Sequence, residues 1–467
     1  MYFLSQDYQL TLQAVWSTYK GHTEQDHIRV HNIYGPVVRI APNELSFASP
    51  SAAREILAAG KGFHKTDFYR VFPPPENPDI FTEVNERAHA QKKRMATVAY
   101  SLASMQRLVP RLDQAERILT DKLDEFASSG QVCDLGQWLH FFAFDVLGQV
   151  AFSKPFGFLT QGKDVDNTIQ TIDNSQTYNG IVGQVPWIDY LLRRNPLWKY
   201  VPFLATKNAL VTRIALRELE ERKVEAAETI YVDILGQLMQ AQNREHNTLS
   251  EGDVFAIAHG AIFAGADSTS STMQTFLWHV LANPSIHQRL VSEIESVNST
   301  GLLSEMITFG EATTKLPYFQ ACLKEAMRIG PAVGLNITRF VPSPHGKVDG
   351  HVLRGGTRVA LNAWVLHRDR ETFGEDADKY VPERWILNEQ DDKNKERLTI
   401  MERCMFQFGG GSHLCIGRHL ALLEMNKLLP QLLRRYKFQL VNPEKPLDHH
   451  SSFFVVQKGL LVNIKKR

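Results

Sequence analysis

The sequence predicts a mainly α-helical protein with a small β subdomain. Apolar residues recur at helical spacing through much of the chain, for example at Leu108, Leu112 and Leu119. Residues 250–283 form the longest apolar helical segment, which predicts a central helix. Short segments that alternate apolar and polar residues predict the strands, and they lie at 347–352, 357–361, 437–441 and 453–464.

Length and composition favour one large domain over residues 1–467. No linker rich in Pro, Gly or Ser, no charged block and no internal repeat divides the 467 residues. The 52 basic and 51 acidic residues give a net charge of +1, so we expect no nucleic-acid partner. The four cysteines lack the spacing of a disulfide framework, which is typical of a reducing compartment.

Residues 1–33 predict an amphipathic segment that docks on the rest of the fold. The segment is rich in aromatic residues, including Tyr2, Phe3, Tyr8 and Trp16. An interfacial patch that follows a membrane anchor is the alternative interpretation. No run of 18 or more apolar residues and no signal-peptide pattern is present, so the anchor itself is predicted to be absent from this sequence.

An aromatic segment follows the first predicted strands. Residues 37–47 predict a β-hairpin around a proline turn. Residues 64–85 then form a long irregular stretch that contains Phe68, Phe72 and Phe81. Because long irregular loops are uncommon in compact domains, these aromatic side chains are expected either to pack as a surface loop or to line a pocket.

A polar run interrupts the apolar central helix. Gly265 is expected to leave room for another molecule against the backbone, and Asp267, Ser268 and Thr269 follow it. Polar side chains in a buried helix cost free energy unless they are bonded. Hydroxyls that bond to carbonyl groups one turn earlier explain residues 270–272, whereas a functional role is the interpretation we favour for the residues before them.

Residues 406–436 combine a glycine-rich loop, one cysteine and a long helix. Phe408 and Gly409 begin the loop, and Cys415 lies two residues before Gly417. Glycines let a main chain approach a flat ligand, and a cysteine at a helix N-terminus is favoured as a thiolate. Such a sulfur can be a nucleophile, a redox thiol or an axial metal ligand. A structural cysteine in a glycine-rich turn is the remaining alternative.

Three motifs together resemble the cytochrome P450 family. Residues 408–417 resemble its haem-binding signature, Phe-Gly-x-Gly-x-(Arg/His)-x-Cys-x-Gly. Residues 264–269 resemble its (Ala/Gly)-Gly-x-(Asp/Glu)-Thr-(Thr/Ser) motif, with Ser268 where threonine is usual. Glu325 and Arg328 resemble its Glu-x-x-Arg motif. The resemblance implies the cytochrome P450 fold, in which the long central helix lies over a haem.

The resemblance also implies which residues bind the cofactor, haem b. Cys415 would be the ligand of the iron, and Phe408, Gly409, Gly417 and Gly265 would lie against the haem. Its two propionates would be bound by cationic or imidazole side chains, namely His413, Arg339, His89 and Lys93. His89 and Lys93 replace a tryptophan and an arginine of the family, and both can still donate a hydrogen bond to a carboxylate.

Oxygen chemistry is assigned to the central helix in the same way. Asp267 and Ser268 match the acid–alcohol pair that delivers protons beside bound O₂, and Thr269 could share the role of Ser268. Serine keeps the hydroxyl but lacks the methyl group that restricts χ1 of threonine. We therefore expect oxygen activation to be less tightly coupled to product formation.

A structural ion pair is implied near the cysteine loop. Glu325 and Arg328 lie at i, i+3 in a predicted helix over 316–329, where an isolated pair usually contributes little. Arg384, within Pro-Glu-Arg-Trp at 382–385, matches a third member of the family's set. The resemblance implies a buried three-way ion pair that braces the loop.

The implied function is that of a haem-thiolate monooxygenase. It would insert one atom of O₂ into an apolar organic substrate, with electrons from NADPH through cytochrome P450 reductase and with cytochrome b5 as a second candidate donor. The local sequence resembles fungal members, many of which act in secondary metabolism or convert xenobiotic or plant compounds. The expected substrate pocket contains Phe68, Phe72, Phe81, Phe263, Val333 and Phe453.

Two other functions stay open at the level of sequence. One is a haem-thiolate isomerase or dehydratase without net oxygenation, which the acid–alcohol motif disfavours. The other is a non-enzymatic haem sensor. We expect a monomer at the membrane surface, on the cytosolic face of the endoplasmic reticulum if the full protein carries an N-terminal anchor, and a cytoplasmic protein otherwise.

Overall fold

Helices predominate in the computed structural model, which describes residues 2–72, 77–195, 197, 210–225, 231–242, 249–388 and 390–467. The mainly α-helical class is therefore confirmed. The helices before the central one are α1 (Tyr2–Lys20), α2 (Thr23–Tyr34), α3 (Pro50–Leu57), α4 (Glu86–Ala96), α5 (Leu102–Arg107), α6 (Val109–Ser129), α7 (Leu135–Phe152), α8 (Phe158–Gln161), α9 (Thr168–Gly183), α10 (Ile188–Leu191), α11 (Leu210–Glu225) and α12 (Ile234–Gln242).

The remaining helices begin with the longest one described. They are α13 (Glu251–Ala282), α14 (Pro284–Ser299), α15 (Phe309–Lys315), α16 (Pro317–Ile329), α17 (Ala363–Leu366), α18 (Arg370–Phe373), α19 (Asp392–Arg403) and α20 (Arg418–Arg435). Short 3₁₀ turns lie at Asp67–Val71, Val165–Asn167, Pro382–Trp385 and Gly411–His413.

Helix α13 is the centre of the helical core. Ser250 and Asp253 form a capping box, and the helix ends before Asn283 and the proline that follows it. Buried residues lie on all sides of its middle part, and α7, α11, α12, α16 and α20 pack around it. A helix that is apolar all round is stable only when neighbours cover every face, so the burial explains its composition.

The strands form four sheets among the described residues. They are β1 (Val37–Ala41), β2 (Glu44–Phe47), β3 (His64–Lys65), β4 (Cys133–Asp134), β5 (Ile337–Phe340), β6 (His345–Val348), β7 (His351–Arg354), β8 (Arg358–Leu361), β9 (Tyr436–Leu440), β10 (Asp448–Ser451), β11 (Val455–Lys458) and β12 (Leu461–Lys466). The largest sheet has the order β1-β2-β8-β5-β3, and a smaller one has the order β4-β12-β9. The pairs β6-β7 and β10-β11 are separate hairpins.

Two of the predicted strands are each two strands. Segment 347–352 turns at Asp349 and Gly350, whose φ angles of 48° and 82° lie in the left-handed region, and β6 pairs with β7 across that turn. Segment 453–464 contains β11 and β12, which join different sheets. The alternation of apolar and polar residues correctly predicts extended structure in both segments, but it does not predict the tight turns within them. The predicted hairpin at residues 37–47 is confirmed by the antiparallel pairing of β1 with β2.

The N-terminal helices pack on the fold. Helix α1 contacts α9 and β1, and α2 contacts α17. Leu12, Trp16 and Tyr19 remain exposed on α1, at 65%, 57% and 58% of their surface. Across the described part of the chain, no helix combines the length and the apolar character that a bilayer crossing requires.

Candidate active site

The loop before α20 holds Cys415 in a fixed position through its backbone. The Cys415 N–H donates to the carbonyl of Phe408 at 2.8 Å, and the Gly409 N–H donates to that of Phe406 at 2.8 Å. Gly409 and Gly411 have φ angles of +74° and +56°, which favour glycine. A Cβ on Gly411 would lie 1.8 Å from the carbonyl oxygen of Leu57. The glycines therefore let the loop pack directly on the end of α3.

The sulfur of Cys415 faces open space although protein surrounds the residue. Its side chain is exposed, unlike those of Cys133, Cys322 and Cys404, which are buried. Desolvation raises the pKa of the Cys415 thiol, while the N–H groups of Gly417 and Arg418 and the charge of Lys93 act in the opposite direction. Burial and the helix terminus thus act in opposite directions on the thiolate that the sequence predicts.

Lys93 and Arg339 lie near the loop from opposite parts of the fold. Lys93 Nζ donates to the carbonyl oxygens of Ser412 at 2.7 Å and Leu414 at 2.5 Å. Arg339 on β5 is buried, and its Nη1 donates to the hydroxyl of Tyr69 at 2.8 Å. Each cation thus retains only part of its donor capacity for a further ligand.

His89 and His413 are stacked against each other. Their ring centroids are 4.3 Å apart, and His413 Nε2 lies 2.9 Å from Oε2 of Glu86. The Nδ1 atoms of both histidines are buried and have no hydrogen-bond partner. Burial, with the nearby charge of Lys65, lowers the pKa of His89 to about 3, so its ring is neutral at pH 7.

The residues of the polar run of α13 and the glycine before it make different contacts. Ser268 Oγ donates to the carbonyl of Ala264 at 2.7 Å, and Thr269 is buried. A Cβ on Gly265 would lie 2.9 Å from the methyl groups of Leu147 on α7. The side of Gly265 that a side chain would occupy therefore packs against α7, and its contact with a bound molecule stays a prediction.

Asp267 points toward α7 and α9. Its Oδ1 lies 2.7 Å from Nε2 of His140, and its Oδ2 accepts a hydrogen bond from Nε2 of Gln176. Asp267 is buried, whereas 14% of the His140 side chain is exposed. Asp173, on the same helix as Gln176, has its pKa raised to about 6 by burial and by the charge of Asp267.

Glu325, Arg328 and Arg384 are brought together in the interior. Arg328 donates to both oxygens of Glu325 at 2.9 and 2.8 Å, and Arg384 Nε donates to Oε1 at 3.0 Å. All three residues are buried. Burial alone would raise the pKa of Glu325, but the bonds and charges of Arg328 and Arg384 hold it below its ordinary value. The carboxylate therefore stays ionised although it is buried.

His367 connects this ion pair to the cysteine loop. Arg328 Nη1 donates to the His367 carbonyl at 2.8 Å, and His367 Nδ1 lies 3.1 Å from the carbonyl of Arg328. The Phe406 N–H donates to His367 Nε2 at 2.7 Å. Burial lowers the pKa of His367 to about 3, so the neutral ring accepts at Nε2 and donates from Nδ1. The start of the loop is thereby bonded to α16.

Comparison with known proteins identifies the family. The family model described as Cytochrome P450 matches residues 7–464. The chain belongs to the cytochrome P450 family. It is similar to cytochrome P450 monooxygenase cicH of Emericella nidulans, with 32% identity over 460 residues, 97% of this chain and 90% of that protein. It is also 33% identical over 471 residues to cytochrome P450 monooxygenase pkfB of the same species, covering 98% of this chain and 89% of the relative.

The residues of this P450 fit the haem that the family implies. The exposed sulfur of Cys415 would be the ligand of the iron. The partnerless Nδ1 atom of His89 would be satisfied by an acceptor, whereas His413 already donates from Nε2 to Glu86, so its Nδ1 could donate only when the ring is protonated. Lys93 and Arg339 would add positive charge for two carboxylates. A buried nitrogen without a partner is costly, so His89 and the two cations favour a bound anionic group.

The predicted substrate residues lie in one cluster, with one exception. Phe72, Phe81 and Phe453 contact one another with centroid distances of 5.2 to 5.4 Å. Phe68 stacks on this group at 5.4 Å from Phe72, and Val333 packs against it. Phe263 lies apart on α13, where it packs on the main core and on His259 at 4.9 Å.

Sequence reasoning missed several residues of this site. His140 and Gln176 contact Asp267 from 127 and 91 residues away, and Glu86 contacts His413 from 327 residues away. No local motif surrounds them, so no signal in one sequence would have identified them. His367 follows a short helix and precedes an arginine, which is equally unspecific.

Replacing Glu325 by glutamine should destabilise the protein strongly. The change leaves Arg328 buried without a counter-charge and leaves Arg384 paired with Asp376 alone, and breaking a buried ion pair costs about 3–5 kcal/mol. Thermal unfolding and the haem content of purified protein measure the effect. Glu383→Gln is the matched control, because Glu383 forms an exposed ion pair with Arg289 at 3.0 Å and such pairs contribute about 0–1 kcal/mol. Equal losses in the two variants would contradict the interpretation.

Asp173→Asn should stabilise the protein more at pH 7 than at pH 4.5. The folded-state pKa of about 6 lies above the ordinary value of 3.8, so between these values the unfolded chain releases a proton that the folded chain retains. The carboxyl of the natural protein therefore lowers stability progressively as pH rises to about 6. Thermal midpoints across this range test the prediction, with Asp166→Asn at an exposed ion pair as the control. A gain that is independent of pH would disprove it.

Proposed function

We propose that this P450 transfers one atom of O₂ to an apolar organic substrate, using electrons from NADPH that cytochrome P450 reductase delivers. The observation that carries the proposal is the exposed sulfur of Cys415 on a loop that is bonded to buried charges. A haem with a thiolate ligand supplies O–O bond cleavage when it is bound. The protein contributes the ligand, the cations for the propionates and the proton path.

Cofactor retention is assigned to the loop and to the side chains around it. Cys415 Sγ is the metal ligand in this proposal, and Phe408, Gly409 and Gly417 shape the surface beside it. His413, His89, Lys93 and Arg339 would hold the propionates, and the orphaned Nδ1 atom of His89 supports this role. Backbone N–H groups of the same loop would tune the sulfur.

Proton delivery is assigned to a path through α13. His140 is partly exposed and contacts Oδ1 of the buried Asp267, so it can pass protons from solvent to this carboxylate. Gln176 fixes the second oxygen. Ser268 follows in the sequence, and its hydroxyl, with Thr269 as a second candidate, would hand the proton to the distal side. Because Ser268 donates to the Ala264 carbonyl, its oxygen lone pairs remain free to accept.

Substrate selection is assigned to the aromatic cluster of Phe68, Phe72, Phe81 and Phe453. Closely packed rings exclude water and favour apolar surface, which supports an apolar and aromatic-compatible substrate. Val333 would extend the same lining. Phe263 lies outside the cluster but on α13, so its proposed contact would come from the oxygen-binding helix.

Membrane contact is assigned to the N-terminal side of the molecule. Trp16 and Tyr19 on α1 are exposed, as are Trp187 and Tyr190 near α10, and aromatic residues of this kind favour membrane interfaces. A cleft of about 950 Å³ between α1, α2 and β1 is also lined by Leu335, which belongs to the aromatic cluster. An apolar substrate could reach the site from a membrane surface through this cleft. We therefore propose a monomer at the cytosolic face of the endoplasmic reticulum if the full protein carries an N-terminal anchor, and a cytoplasmic protein otherwise.

A biological setting follows from the relatives. They are cytochrome P450 monooxygenases of fungi, including one from Aspergillus flavus that is 32% identical over 469 residues and is matched over 90% of its length. We assign the reaction to fungal secondary metabolism, with cytochrome b5 as an auxiliary electron donor. An isomerase or a sensor would have no use for the buried His140–Asp267 pair.

Cys415→Ser should abolish both the thiolate-type spectrum and turnover. A hydroxyl cannot replace the thiolate as an electron-donating ligand, so the reduced protein with carbon monoxide should lose its long-wavelength absorption. Cys404→Ser is the matched control, since Cys404 is buried and contacts Arg54 rather than the open space. Unchanged spectrum and activity in the Cys415 variant would refute the ligand assignment.

His140→Ala and Asp267→Asn should separate NADPH consumption from product formation. General acid–base groups contribute about 10²–10⁴-fold to proton-transfer steps, so product per NADPH should fall while reduced oxygen species rise, with a larger solvent isotope effect. Thr272→Val is the control, because the Thr272 hydroxyl bonds only within the helix, to the carbonyl of Ser268. Full coupling in both variants would eliminate this path.

A further inference from the structure

A second group of metal-ligating side chains lies outside the cysteine loop. His22 lies immediately before α2, Glu24 lies in its first turn, and His449 lies on β10. The backbone joins these elements directly, because the Ser451 N–H donates to the Gly21 carbonyl at 2.8 Å. The N-terminal helices and the C-terminal hairpin therefore meet at this cluster.

The Nε2 atom of His449 lies between two polar side chains. It lies 2.9 Å from Oε1 of Glu24, which can only accept, and 2.8 Å from Nε2 of Gln25, which can only donate. One imidazole nitrogen cannot donate to the first and accept from the second at the same time. If the amide of Gln25 is rotated, two acceptor oxygens face one nitrogen. That arrangement suits a cation between them.

Glu24 needs positive charge at this position. The residue is fully buried, and its second oxygen accepts from the Ser451 hydroxyl at 2.6 Å. Among the described residues, its ion-pair contact is His449 alone. Arg368 exerts a charge effect on it, but the Arg368 nitrogens donate to the carbonyls of Trp364 and Ile329. A buried carboxylate is costly unless it is paired or coordinates a metal.

We propose that His22, Glu24 and His449 bind a divalent transition metal of the zinc class. One ligand atom from each of the three lies within 4.8 Å of the others, and the carbonyl oxygen of Gln25 can serve as a fourth ligand. Zinc binds nitrogen and oxygen at about 2.0–2.2 Å in a tetrahedron, which places its ligands roughly 3.3 Å apart. His22 is exposed, so its side chain can rotate toward the other two ligands.

The site would couple the two ends of the chain. Its ligands come from α2 and β10, and the aromatic cluster residue Phe453 follows β10 directly. Metal binding would stabilise the contact between the N-terminal helices and this hairpin. The second set of neighbouring ligand atoms, Glu86, His89 and His413, belongs to the cofactor site described above and is a different case.

Calorimetric titration of zinc into the untagged, haem-loaded protein tests this proposal. After treatment with a chelator, the natural protein should bind about one equivalent. His22→Ala and His449→Ala should each weaken binding more than about 100-fold, beyond the 10–100-fold that loss of an outer-shell partner causes. His345→Ala and His351→Ala, at exposed positions of the β6-β7 hairpin, should bind as the natural protein does.

Thermal unfolding with and without zinc is the second measurement. Zinc should raise the thermal midpoint of the natural protein and of the hairpin controls but not that of the His22 variant. Because the His22 side chain is exposed, its replacement should leave the fold intact. An unchanged carbon monoxide spectrum would verify that the variant is folded. Undiminished zinc binding in the His22 and His449 variants would overturn the proposal. Loss of binding in His89→Ala instead would also overturn it, because it would assign the metal to the cofactor site.

Discussion

The buried carboxylate of Glu325 is the interaction on which the active-site loop depends. It accepts hydrogen bonds from Arg328 twice, from Arg384, from the Trp385 indole and from the Val381 N–H. A buried ion pair is worth little or is unfavourable unless such additional bonds complete it. Here the donors come from α16 and from the turn at residues 382–385. The charge therefore fixes the relative position of two segments that do not adjoin in sequence.

His367 transmits this constraint to the cysteine. Its carbonyl accepts a hydrogen bond from Arg328, and its ring accepts one from the Phe406 N–H. The Phe406 carbonyl in turn accepts from the Gly409 N–H at the loop turn. Each link is a bond between buried groups, where an unmade bond costs about 1–3 kcal/mol. The loop thus cannot move without breaking bonds at the ion pair. A ligand held this firmly keeps its sulfur aimed at one place.

Much of this arrangement could be predicted from the sequence, because it is encoded in short motifs. The glycines, Cys415 and the Glu325–Arg328 pair each depend on neighbours within about ten residues, and a local pattern reports such contacts well. His140, Gln176 and Glu86 depend instead on which distant elements meet, which spacing does not encode. A glycine in a helix signals close approach, but the sequence does not say that Leu147 of α7 lies on the side of Gly265 that a side chain would occupy.

The environment of Asp267 bears on the serine that follows it. A threonine methyl would restrict the side chain at position 268, whereas the serine hydroxyl is held by backbone carbonyls, at 2.7 Å from that of Ala264 and 3.4 Å from that of Gly265. The carboxylate beside it, in contrast, is fixed by His140 and Gln176 and is close enough to Asp173 to raise that residue's pKa. In this part of α13, neighbouring side chains therefore fix the Asp267 carboxylate but not the Ser268 hydroxyl. The loss of restriction at Ser268 is offset by a carboxylate whose position and access to solvent are set by α7 and α9.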